Sequence, residues 1–212
     1  MAFISSGTTI IDNGAFQSSL GSLVHIKTLT ASSSATLSFV HGTDGVVLDS
    51  TYPIYRFEFI NIHPSADGVE FNFQGSTDGG SNYNTTITST AFYATHGENG
   101  SFSDLAYDTS DDFAQGTGYL PISYAGGVGN ANDNNLSGYI QIFNPSSTTF
   151  VKHFMGENNA TRINAGEGID YSPRSFYAGY FNNTNDIDAV SFKFNSGNID
   201  AGKIKLYGIK DS

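Results

Sequence analysis

Cysteine and tryptophan are absent from the 212 residues, proline occurs 5 times, and Lys and Arg together number only 9. Without Cys there are no disulfides and no thiolate metal ligands, so packing or association must supply stability. The few cations face 20 carboxylates, giving a formal charge of −11 and a pI near 4.5. That balance argues against a nucleic-acid partner, whose binding rests on Lys and Arg neutralising phosphates, and equally against an anionic membrane surface. No stretch approaches the roughly 18 apolar residues of a membrane span. The opening Met1-Ala2-Phe3-Ile4-Ser5-Ser6-Gly7 carries neither the basic nor the apolar part of a secretory signal, so the expectation is a protein made without that route. Leu, Glu, Lys, Arg and Met are scarce, so long helices are not expected.

What the chain does have is 24 Gly, 17 Phe and 12 Tyr among abundant Ser, Thr and Asn. This is the composition of aromatic strands joined by tight turns. Segments 23–29 and 36–41, separated by small residues, read as a hairpin. Segment 54–63 sets Tyr55, Phe57 and Phe59 in one phase and Arg56 and Glu58 in the other. Segment 69–75 repeats this with Val69, Phe71 and Phe73 against Glu70, Asn72 and Gln74. Period two implies one face in the core and one in water, and the turn residues of 63–68 suggest a second hairpin. Segments 85–95, 138–144, 150–155, 176–182, 189–195 and 203–209 read as further strands, and the last third as packed hairpins. Between 97 and 137 the pattern fails, with carboxylates at Asp104, Asp108, Asp111 and Asp112; a short strand at 119–124 and a helical turn at 103–107 would fit. About ten strands with no long helix and no linker predict an all-β, single-domain antiparallel β-sandwich of jelly-roll-like kind over 23–212, preceded by an arm or edge segment over 1–22.

Several stretches then carry a resemblance. They are Phe3-Ile4-Ser5-Ser6-Gly7-Thr8-Thr9-Ile10-Ile11-Asp12-Asn13-Gly14, Phe59-Ile60-Asn61-Ile62-His63-Pro64, Gln74-Gly75-Ser76-Thr77-Asp78-Gly79-Gly80-Ser81-Asn82-Tyr83-Asn84, Phe143-Asn144-Pro145-Ser146-Ser147-Thr148-Thr149 with Val151-Lys152-His153-Phe154, Gly179-Tyr180-Phe181-Asn182, and residues 192–209. Over nearly its whole length the chain resembles small structural proteins of tailed bacteriophages, especially marine ones, of the virion or tail-fibre kind. The resemblance implies a place in a virion and supplies no catalytic residues.

The residues themselves give little chemistry. His25, His41, His63, His96 and His153 lack the close spacing that puts two imidazoles on one metal, and His25, His41 and His153 read as strand residues bonded to neighbours or water. Glu58 and Glu70 could serve a glycosidase only if they converged; as polar-face residues they read as solvated, or paired with Arg56. The serines form no Gly-x-Ser-x-Gly elbow, and Gly126-Gly127-Val128-Gly129 lacks the Lys of a phosphate loop. The oxygen-rich run 130–135 has one Asp and reads as a solvated loop rather than a calcium loop.

Two surface features stand out. Tyr107, Tyr119 and Tyr124 sit in the unpatterned segment, where Tyr can contact a neighbouring subunit or a host glycan, or simply cap the sandwich. Phe3, Ile4, Ile10 and Ile11 make the 1–22 segment a candidate docking arm. The sequence thus points to a non-enzymatic virion structural protein, without cofactor or metal, working as a capsid decoration or cement protein or as a short appendage. Its expected partners are other capsid or tail proteins and further copies of itself. The rivals are a receptor- or glycan-binding module of a tail fibre and a lectin-like hydrolase.

Overall fold

The computed structural model describes residues 3–5, 8–12, 15–16, 22–164 and 168–211. Among them there is no helix; the chain is an all-β antiparallel sandwich. The strands are β1 (Phe3–Ser5), β2 (Thr8–Asp12), β3 (Ala15–Phe16), β4 (Leu23–Thr30), β5 (Leu37–Val40), β6 (Ile54–Pro64), β7 (Phe71–Ser76), β8 (Ile87–Gly97), β9 (Ser103–Tyr107), β10 (Ala114–Gly116), β11 (Leu120–Pro121), β12 (Leu136–Phe143), β13 (Lys152–Ala160), β14 (Arg162–Asn164), β15 (Ile169–Phe181), β16 (Ala189–Phe194) and β17 (Ile199–Ile209).

Two sheets enclose the core. The wide sheet runs β10-β8-β15-β13-β12-β6-β17-β4, with β9 added on β8 and β14 on β15. The narrow sheet runs β11-β7-β16-β5. Eight strands thus pair as two quartets, β4-β17-β6-β12 against β5-β16-β7-β11, and two inserted groups, β8–β10 and β13–β15, extend only the wide sheet. The core is aromatic because alternate strand residues bring Phe57 and Phe59 of β6 onto Phe39, Phe71 and Phe192 of the narrow sheet, and Phe154 and Phe181 of β13 and β15 onto Phe73, all buried. Edge-to-face pairs such as Phe59 and Phe71, with centroids 5.2 Å apart, add to the area term.

Three expected hairpins are instead arches between sheets. β4 pairs with β17 while β5 pairs with β16, so 23–29 and 36–41 are not partners. β6 pairs with β12 and β17 while β7 pairs with β11 and β16, and β16 and β17 also lie in opposite sheets. An arch and a hairpin bury the same alternate residues, so alternation does not separate them. The hairpin of β12 and β13 is present, Tyr139 opposite Glu157. The 103–107 stretch, expected as a helical turn, is strand β9, because its backbone groups find a partner in β8 from Phe92 to His96.

β7 also departs from expectation: it is buried on both faces, Asn72 and Gln74 included. Loop segments lie over the narrow sheet's outer side. The Gln74 amide donates to the carbonyls of Thr85 (3.0 Å) and Gly118 (2.6 Å), satisfying backbone that the covering loops bury.

The 1–22 segment, expected as an arm or edge segment, contains β1, β2 and β3, which pair only with one another among the described residues. Ile4 is exposed. The side chains of Phe3, Ile10 and Ile11, the other candidates for a docking arm, lie outside the described part of the chain.

Candidate functional site: the outer face of the wide sheet

Register fixes which side chains share the solvent face of the wide sheet. Tyr139, Glu157, Phe176, Phe92 and Tyr107 stand opposite one another in one row across β12, β13, β15, β8 and β9. Beside it run Gln141, Met155, Ala178 and Thr90 on one flank, and Asn159, Arg174, Ala94 and Leu105 on the other. Strand period two makes this a surface rather than a core, yet much of it is apolar. Phe92 is 45% exposed, Met155 49%, Tyr107 52% and Leu105 71%.

The rings are organised. Phe92 and Phe176 stack with centroids 4.6 Å apart and planes 9° from parallel. The Arg174 guanidinium lies 4.7 Å over Phe176 and is held there by a 2.6 Å bond to Glu157. Farther along, Arg56 sits 3.9 Å over Tyr139 and 3.1 Å from Glu58. Stacked and cation-capped rings have little rotamer freedom left, which suits a preformed contact surface.

Two depressions flank the row. One, of about 520 Å³, is lined by Thr88, Thr90, Phe143, His153, Met155 and Tyr180 and is almost wholly apolar. Gly179 in its floor belongs to the core-facing phase of β15, where a Cβ would come within 2.5 Å of the Thr88 carbonyl and 2.7 Å of the buried Phe154 ring. The other, of about 370 Å³, is polar, with Tyr139, Glu157, Asn159 and Arg174 in its wall.

Charge separates this face from the rest. Its strands present Arg56, Arg174, Lys203 and Lys205 against Glu58, Glu157 and Asp170, close to balance in a chain of formal charge −11. The acidic excess therefore lies elsewhere.

The tyrosines and carboxylates singled out from the sequence scatter across the molecule. Tyr107 belongs to the face, its hydroxyl donating to Asp112 (2.7 Å). Tyr119 lies on the narrow sheet's side, near Tyr83 (6.2 Å) and under the Lys193 ammonium (5.1 Å). Tyr124 packs edge-on to Tyr93 (4.6 Å) and Tyr171 (6.1 Å), and burial raises its pKa. The three do not form one site. Glu58 and Glu70 do not converge: Glu58 lies on β6 of the wide sheet, paired with Arg56 as expected, and Glu70 just before β7 of the narrow sheet, bonded to Asn195 (3.0 Å). Within 130–135 the first four residues are exposed and Asn134 is buried.

The sequence reading missed Phe92, Leu105, Met155 and Phe176. A signal was present in neighbouring aromatics: Phe92-Tyr93, Phe176-Tyr177 and Tyr180-Phe181 lie on strands, where adjacent side chains point to opposite faces, so one ring of each pair faces outward.

Beneath the face, burial pushes the Asp111 carboxyl up to about 8, with Asp108 first and Glu70 next among the neighbouring carboxylates that add to it, and Asp112 also contributing. A carboxyl raised in the folded state holds its proton more tightly there than in the unfolded chain, so folding is favoured at low pH. That stability is lost as pH rises from about 4 to about 8. In chelator-containing buffer, Asp111→Asn is expected to unfold at a higher temperature than the parent at pH 8 and to flatten this part of the melting-temperature profile.

Taken together, fold and face define a β-sandwich with a preformed, charge-balanced aromatic surface on its wider sheet. In comparisons with family models, curated proteins and solved structures, nothing matches the chain.

Proposed function

We propose that this chain is a non-enzymatic structural subunit of a tailed-phage virion, a jelly-roll sandwich that docks on a second copy of itself through the outer face of the wide sheet. A capsid decoration or a short appendage fits this reading. The observation that carries it is the exposed Phe92, Leu105, Tyr107 and Met155 cluster on a sheet face whose strands are close to charge balance in an acidic chain. Two copies meeting there bury apolar area away from most of the acidic excess, which lowers the like-charge repulsion between them.

Strand order supports the jelly-roll part. Quartets β4-β17-β6-β12 and β5-β16-β7-β11 are what an eight-stranded jelly roll traces, a fold used in viral capsid and lectin domains. That link to viruses is analogy at the level of fold. The resemblance to phage structural proteins adds to it independently. Phe92, Leu105, Tyr107, Met155 and Phe176 all lie on the inserted strands β8, β9, β13 and β15, where a site added to a standard scaffold would be found.

One observation favours a second reading, a glycan-binding module of a tail fibre. The row Tyr139, Phe176, Phe92 and Tyr107 runs beside a polar depression walled by Glu157, Asn159 and Arg174, and flat rings beside hydrogen-bonding groups suit a sugar chain. Quantitative mass spectrometry of purified virions tests the primary reading. Copies comparable to the major capsid protein support decoration, a few copies per particle support an appendage, and absence from virions rejects the structural role. Retention of host polysaccharide by the purified protein, lost in Phe92→Ala, would support the second.

A further inference from the structure

On the core side of the strands that carry Phe92 and Phe176, a small cavity of about 10 Å³ lies among Asp108, Asp111, Ser123, Ser175 and Tyr177, with apolar and aromatic side chains such as Ala91, Pro121 and Ile122 completing its wall. We propose that this cavity is a calcium site, in which the Asp108 and Asp111 carboxylates and the Ser175 hydroxyl hold one Ca²⁺.

The three groups are buried and two of them are left without partners, Asp108 accepting from the Ser110 N–H (3.1 Å). Asp111 is 3% exposed, Asp108 6% and Ser175 7%, and neither Asp111 Oδ2 nor Ser175 Oγ has a hydrogen-bond partner. Asn158, opposite Ser175 in the ladder, adds a buried and unpartnered Oδ1 nearby. Orphaned oxygens from two segments, the β9–β10 connection and β15, at one small void are what an oxygen-ligated cation leaves when it is taken away.

Charge makes the same demand. Asp108 and Asp111 lie within hydrogen-bonding reach of each other and Glu70 adds its field, yet among the described residues no ion pair engages any of the three. A buried carboxylate pair must be neutralised by a cation or a proton. Among the described residues no three His, Asp or Glu side chains converge, so hydroxyl and carbonyl oxygens would complete the shell. Calcium accepts such ligands at about 2.3–2.6 Å, and a void the size of one water suffices. Magnesium, which keeps several waters, does not fit a space so small.

Such an ion would tie the β9–β10 connection, which carries Asp108 and Asp111, to β15, which carries Ser175, and so brace both insertions. It does not depend on what docks outside.

The test is thermal unfolding of chelator-stripped protein titrated with CaCl₂, with MgCl₂ and NaCl as controls, alongside Tb³⁺ emission sensitised through Tyr177 at the cavity. A saturable rise in melting temperature specific to calcium is expected, with terbium emission that calcium displaces. Both should be lost in Asp111→Asn and in Asp108→Asn, variants that remain folded in chelator. No calcium-dependent rise in the parent would overturn the site and leave a proton shared by the pair. A calcium response unchanged in both variants would also overturn it.

Discussion

Phe192→Ala is expected to lower unfolding stability by about 3–5 kcal/mol, the range for emptying a buried aromatic site. The reason is position. Phe192 is fully buried at the middle of β16 and its ring lies 5.3 Å from both Phe57 and Phe59 of the wide sheet and 6.0 Å from Phe71 of its own. No neighbouring strand can move in to fill the void without breaking its ladder, so the cavity stays open. Urea unfolding of parent and variant measures the loss directly, and Phe192→Leu should recover most of it. A loss under about 1 kcal/mol would mean that the sheets close over the gap.

Lys152→Met carries the second large effect, about 3 kcal/mol or more, although it exchanges one long side chain for another. Lys152 is the one fully buried cation among the described residues, and burial lowers its pKa. Its ammonium donates to the carbonyls of Ser147 (3.3 Å), Asn183 (2.7 Å) and Asn185, joining the β12–β13 turn to the loop after β15. Methionine fills the space but leaves three carbonyl oxygens without a donor. Equal stability of parent and variant would show that water replaces the ammonium.

How much of this was legible differs by level. Alternation at Tyr55, Phe57 and Phe59, and at Val69, Phe71 and Phe73, correctly placed the core rings, because period two depends only on the local strand. The same alternation could not say that β6 and β7 face each other across the core rather than pair, since partner choice depends on segments more than a hundred residues away, such as Phe192 and Leu206. Gln74 and Asn72 looked like a wet face; their burial follows from loops folded over the narrow sheet, which no local pattern encodes. The tyrosine candidates are dispersed for a related reason. The unpatterned segment offers only a short strand at 119–124 and a helical turn at 103–107, whereas β9 and β10 add to β8 of the wide sheet and β11 to β7 of the narrow one, taking Tyr107, Tyr119 and Tyr124 apart. The acidic residues of that segment were visible, but Glu70 and Ser175 reach them only through the fold.

Analytical ultracentrifugation of the parent chain beside Phe92→Glu tests the docking face most directly. The parent is expected to sediment as a homo-oligomer and the variant as a monomer, with association weakened about 30-fold or more, as for loss of a central aromatic contact. The variant's melting temperature as a monomer should be little changed, since Phe92 is 45% exposed and outside the core. A parent that stays monomeric, or a Phe92→Glu variant that associates as well as the parent, would contradict self-docking through the wide sheet.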